Sequence, residues 1–157
     1  MGFLAGPFVG AAALLALGGL LKLRVRALPT RLLAAAEVGV GLAALAFDTR
    51  LFPALVAAFY VGFAAYIAVN LTGEAATKDC GCFGETESPP TVLHLVVDLA
   101  AAAVAGAVAV GSGGGLSTAL HGQPLGGVPF LLLAATTAGL AYAALAVLPR
   151  TLAASRR

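Results

Sequence analysis

Residues 51–71 read LFPALVAAFYVGFAAYIAVNL, a run without one charged side chain. At about 1.5 Å rise per residue, a helix of this length reaches about 30 Å, the thickness of the hydrocarbon core of a bilayer. A helix buried in a soluble domain keeps a polar face, and this one has none. Working outward, four more apolar segments can be marked, at residues 3–21, 32–47, 91–110 and 128–148. Composition agrees: 61% of residues are hydrophobic, 10% are charged and the mean hydropathy is +1.00. No water-soluble packing absorbs that much apolar surface. The sequence predicts an all-α integral membrane protein, one transmembrane domain over residues 1–157, folded as a compact bundle of about five helices, or four if one segment does not span.

The segment at 32–47 is the shortest and carries Glu37, so it spans only if that carboxyl is neutralised or finds a partner inside the bundle. The segment at 3–21 lacks the charge pattern of a secretory signal. No Lys or Arg precedes it and a basic cluster follows it, so it reads as a retained first helix. The connections are a basic turn closed by Pro29, a tight turn at Asp48, Thr49 and Arg50, a polar loop at 72–90, and a Gly-rich stretch containing His121, which reads as a solvated loop residue. Small residues recur every fourth position in Ala35, Gly39 and Ala43, in Ala54, Ala58 and Gly62, in Ala102 and Gly106, and in Ala135, Gly139 and Ala143. Such rows let helix backbones approach closely, although an Ala- and Gly-rich composition produces them too.

The formal charge of +2 matters less than its distribution. Lys22, Arg24, Arg26 and Arg31 form one basic cluster, and Arg150, Arg156 and Arg157 another. These charges punctuate the ends of apolar segments and form no phosphate-binding face, which excludes a nucleic-acid partner. Positive flanks stay cytoplasmic. With five spans and the N-terminus outside, the inner side collects both clusters and Lys78, and the outer side only Arg50. That places the C-terminus and the 72–90 loop at the cytoplasmic face.

The chain has two cysteines, Cys80 and Cys82, one residue apart in the largest polar loop. A disulfide between positions i and i+2 is geometrically difficult, and Gly81 makes it possible. A strained bond of this kind is readily reduced, and a staple across so short a loop stabilises little, so the pair suits reversible redox cycling. Asp79, Glu74, Glu85 and Glu87 against Lys78 leave the loop net acidic, which opposes thiol ionisation; the N-terminus of the following helix, near Ser88 and Pro89, offsets this if the loop folds back onto it. Two other readings stand beside this one. Two thiolates suit a soft ion such as Cu(I) but not zinc, which wants four ligands. The pair can also be inert in a purely structural subunit.

A second constellation lies within the apolar segments. His94 and Asp98 are four residues apart and share one helix face with Ala102 and Gly106. Glu37, with Tyr66 and Asn70 on the third segment, can meet them inside the bundle. Ionisable groups at membrane depth mark proton paths or ligand sites, or else fix packing through interhelical hydrogen bonds.

The run Cys80-Gly81-Cys82-Phe83-Gly84 after a third apolar segment, with Lys22-Leu23 closing the first, Leu28-Pro29 before the second and Glu37 within it, resembles the MauE-like proteins of methylamine utilisation and the broader DoxX-like group. The resemblance covers the chain to about Gly106. It implies about five helices in a bacterial inner membrane, and a thiol-disulfide role, an oxidoreductase in effect. That role is the maturation of an exported disulfide-containing client by exchange with a thioredoxin-like protein. One departure is Val97, where a basic residue is expected before Asp98. With no second cysteine pair, the chain needs a redox partner, and a thioredoxin-like protein or a bilayer quinone can fill that place. Charge bias puts the cysteines inside, whereas the implied client matures outside.

Overall fold

The computed structural model describes residues 4–25, 27–72, 91–111, 116–121 and 123–143. It is built from α1 (Ala5–Lys22), α2 (Leu28–Ala46), α3 (Leu51–Thr72), α4 (Val92–Val110), a short α5 (Leu116–Leu120), and a 3-10 turn (Pro124–Gly127) that leads into α6 (Val128–Tyr142). Among the described residues there is no strand. Five helices are long and apolar enough to cross a bilayer, with Pro124–Tyr142 counted as one, so the larger of the two helix counts holds. Helices suit this solvent because they satisfy their own backbone groups where no water is present.

The ends of these helices follow local rules. Pro29, Pro53 and Pro129 each stand in a first turn, where the missing N–H is not needed and φ is already helical. Thr91 caps α4, its hydroxyl accepting from the His94 backbone N–H at 3.5 Å. The expectation for the second segment needs correction. The sequence places it at 32–47, with Pro29 closing a turn, whereas α2 begins at Leu28 and takes Pro29 into its first turn. The helix therefore has 19 residues, and Glu37 falls at its middle.

Packing centres on α1, which buries residues on several faces and contacts α2, α3, α4 and α6. Two glycines set its approach to α2. A Cβ on Gly19 would lie 2.6 Å from the Ala34 carbonyl oxygen and 2.9 Å from Glu37 Cβ, and one on Gly41 would lie 2.7 Å from the Ala12 carbonyl oxygen. Only hydrogen fits at either place, and the pairing of residue 19 with 34–38 and of 41 with 12–16 makes the two helices antiparallel. Tyr60 ties α3 to α1 by donating to the Ala11 carbonyl at 2.8 Å. Phe8, Leu15, Val56, Tyr60 and Ala105 form the centre of the core. Ser117 donates to Asp48, so α5 and the α2–α3 turn share one end of the bundle. Lys22, the start of α2, Thr72 and the start of α4 share the other.

The rows of small residues mostly face outward. Ala35 and Gly39, the whole Ala54, Ala58, Gly62 row, and the whole Ala135, Gly139, Ala143 row are exposed or nearly so, whereas Ala102 is buried and Gly106 partly so. On α2 the buried stripe is Ala34, Glu37, Gly41, Ala44, and on α3 it is Pro53, Val56, Tyr60, Ala64, Ile67. The reason is energetic. A carboxyl or phenol turned toward lipid costs more than an alanine turned there, so Glu37 and Tyr60 fix which face points inward.

Candidate functional site

Cys80, Gly81, Cys82, Phe83 and Gly84 lie outside the described residues, as does most of the 72–90 loop. Its described flanks, Thr72 and Thr91, stand at the Lys22 end of the bundle. The polar residues of the spans are the part of the candidate site that can be built up atom by atom.

Lys22 is the last residue of α1, where a cation complements the C-terminal end of the helix dipole. Its side chain does not leave for solvent. It is 3% exposed, and Nζ donates to Glu37 Oε1 at 2.7 Å. Phe63 of α3 completes the setting, with Nζ 4.6 Å from its ring centroid. Glu37 is 1% exposed, and Oε2 has no hydrogen-bond partner among the described residues. Taking two charges out of water is expensive, and close geometry with a ring over the cation offsets part of that cost. Gly19 makes the pair possible, because any side chain there would strike Glu37 Cβ.

His94 and Asp98 are both buried on the inward stripe of α4, with Ala102 and Ala105. His94 Nδ1 lies 2.7 Å from Thr91 Oγ1. Asp98 and Glu37 line one cavity of about 280 Å³ between α1, α4 and α6, with Tyr60 and Phe63 beside them and Leu14 and Thr137 on its apolar walls. Glu37 and Asp98 thus share a cavity, whose lining does not include His94. Tyr66 and Asn70 go elsewhere. Tyr66 is 44% exposed, and Asn70 Nδ2 donates to the Tyr66 carbonyl within α3. Tyr66 lines a second recess, of about 720 Å³ between α2 and α3, which has Lys22 in its wall. His121 is exposed, as a loop residue should be.

Lys22 is the residue that charge counting misplaced. Grouped with the basic flank, it turns out to be the internal partner that Glu37 required. The signal was present: among the described helices it is the one cation in a last turn, and the following span carries a central carboxylate.

The comparisons with known proteins add one positive finding. No curated protein and no solved structure matches the chain. The family described as Methylamine utilisation protein MauE matches residues 4–111, which takes in α1 to α4, the two cysteines, Lys22, Glu37 and Asp98. With five helices of bilayer length and a match over more than half of its residues, the chain is a multi-pass membrane protein that belongs to the MauE family.

Proposed function

We propose that this protein is a thiol-disulfide redox protein of the bacterial inner membrane, supporting the maturation of an exported disulfide-containing protein such as a dehydrogenase of methylamine metabolism. The observation that carries the reading is the sequence Cys80-Gly81-Cys82, the only two thiols of the chain, inside the family-matched segment. When the pair is oxidised, two S–H bonds break and one S–S bond forms. Two electrons and two protons pass to the partner, which is either a thioredoxin-like protein whose disulfide opens to two thiols or a quinone that becomes a hydroquinone. The glycine between the sulfurs supports closure, and the strain of so small a ring supports ready reopening.

Five crossings with the N-terminus outside put the loop and the C-terminus at the cytoplasmic face. Removing Lys22 from the count of flanking charges leaves seven inner basic residues against Arg50, so the bias survives. The exchange partner is then cytoplasmic or lipid-borne, and the exported client is served through it. The test is the reduction potential of the pair, measured by equilibration with glutathione or thioredoxin, together with labelling of intact cells by a membrane-impermeant thiol reagent. A reversible two-electron couple that is shielded from outside labelling is expected. Thiols that never close under any oxidant would remove the redox reading, and strong labelling from outside would invert the orientation.

A further inference from the structure

The Lys22–Glu37 pair forms a partition between two recesses. Glu37 lines the cavity on the α1, α4 and α6 side, Lys22 lines the groove on the α2 and α3 side, and Phe63 borders both. We infer that the α2–α3 groove is a binding site for a quinone-class molecule, whose ring carbonyl accepts a hydrogen bond from Lys22 Nζ. The inference deepens the proposed function by giving its lipid-borne partner a place, and binding itself does not require the thiols.

Three observations select this occupant. First, an ammonium has three donors and Glu37 takes one, with no second hydrogen-bond partner for Nζ among the described residues. Donor capacity is therefore left on a side chain that is 3% exposed and lines the groove. A buried polar group with unused capacity favours a ligand that fills it. Second, the ligand's acceptor is neutral. Nζ already has a carboxylate oxygen at 2.7 Å, so a second anion, whether fatty acid or phosphate, would be held against Glu37 without a compensating charge. A carbonyl oxygen brings no such repulsion. Third, the walls favour a ring over an acyl chain. Phe59 and Phe63 lie 6.2 Å apart between centroids with planes inclined by 46°, and Tyr66 continues the aromatic side of the groove. Flat rings pack on such walls in offset or edge-on geometry. The volume of about 720 Å³ is of the size that holds small organic ligands, and across the groove stand Pro29 and Leu33, which are apolar, with Thr30 between them.

Binding of duroquinone to the full-length protein in phosphatidylcholine nanodiscs, corrected for partition into empty nanodiscs, tests this directly. Duroquinone has no free ring position for thiols to attack, and durene is the same methylated ring without carbonyls. Saturable binding of duroquinone is expected, with durene weaker by about tenfold or more, the worth of a hydrogen bond from a charged donor. Gly62 lines the groove, and a Cβ there meets nothing within 4 Å, so Gly62→Leu fills the site while leaving the ion pair and the helix contacts alone. It should abolish saturable binding without changing the melting temperature by more than a few degrees. The Cys80→Ser, Cys82→Ser double variant should bind as the parent does, which separates this inference from the thiol chemistry. Equal binding of durene, undiminished binding by Gly62→Leu, no saturable binding at all, or displacement of duroquinone by palmitate at matched concentration would each overturn it.

Discussion

Replacing Lys22 and Glu37 singly and together tests the centre of the bundle, and the structure sets different magnitudes for the two single changes. Lys22→Met strands a carboxylate at the middle of α2, 1% exposed, with Oε2 already without a hydrogen-bond partner among the described residues. Among the described residues no other cation pairs with Glu37, so the cost should reach the upper part of the range for breaking a buried pair, about 4–5 kcal/mol. Glu37→Leu strands the ammonium instead. Lys22 closes α1, so its charge has two ways out: its flexible stem carries it toward the bilayer surface, or it stays against the Phe63 ring at 4.6 Å and keeps about 1–2 kcal/mol of cation–π attraction. Its cost should be about 2–3 kcal/mol.

The double variant Lys22→Met, Glu37→Leu removes both charges and replaces them with side chains of similar volume. Neutral exchange of a buried pair is often harmless, so it should fall within about 1 kcal/mol of the parent. The two single costs sum to about 6–8 kcal/mol, which puts the coupling between the positions at about 5–9 kcal/mol. Equilibrium unfolding of the purified protein in mixed micelles with increasing denaturing detergent, followed by circular dichroism, gives all three values. A double variant as unstable as the two singles combined would refute the reasoning, as would Lys22→Met at less than about 1 kcal/mol.

Three further substitutions probe the packing. Gly19→Ala places a methyl 2.6 Å from the Ala34 carbonyl; a clash with backbone falls in the upper part of the overpacking range, about 2–3 kcal/mol, and the helix propensity of alanine returns about 1, so unfolding should show a net loss of about 1–2 kcal/mol. Tyr60→Phe deletes the hydrogen bond to the Ala11 carbonyl and keeps the ring, and should cost about 0.6–1.5 kcal/mol in the same assay. Leu125 is 81% exposed with φ of 51°, and left-handed backbone costs a residue with a Cβ about 1–2 kcal/mol. Leu125→Gly removes that strain at a cost of about 0.4–1 kcal/mol in unfolded-state entropy; the midpoints of the two ranges leave a net gain of about 0.8 kcal/mol, read as a raised melting temperature.

What the sequence discloses and what it hides divide along physical lines. Hydrophobic length is a local property, so residues 51–71 announce a span without any neighbour, and the same measure finds all five. The inward placement of Glu37, His94 and Asp98 is also legible, since lipid penalises the alternative so heavily. Packing faces are harder. Rows of small residues occur on every side of helices this rich in alanine, and the spacing of Ala54, Ala58 and Gly62 carries no information about which side faces a partner. Tyr60, one large residue with a hydroxyl to satisfy, decides it. The contacts at Gly19 and Gly41 are relations between two helices, and neither glycine stands in a recurring row. Lys22 illustrates the same limit: its composition class says flank, and only the geometry of α1 against α2 turns it inward.

The two recesses differ in what builds them, and this separates their occupants. The α2–α3 groove takes its walls from α2 and α3 and its cation from α1, all inside the family-matched residues 4–111. The cavity on the Glu37 side takes one wall, including Thr137, Ala138 and Ala141, from α6, which lies beyond that match. Enlarging Ala138 to leucine should therefore crowd the cavity and leave the groove as it is. The recesses meet only at Phe63 and the Lys22–Glu37 pair, neither of which Ala138→Leu replaces, so coupling should sit at the low end of the range for linked sites, about 0.5 kcal/mol, and duroquinone affinity should change by about twofold. If Ala138→Leu weakens duroquinone about tenfold and Gly62→Leu does not, the ring sits against Glu37 and the donor is not Lys22. Phe63 borders both recesses and cannot distinguish them, which is why the test places its two changes on α3 and α6, one in each recess alone.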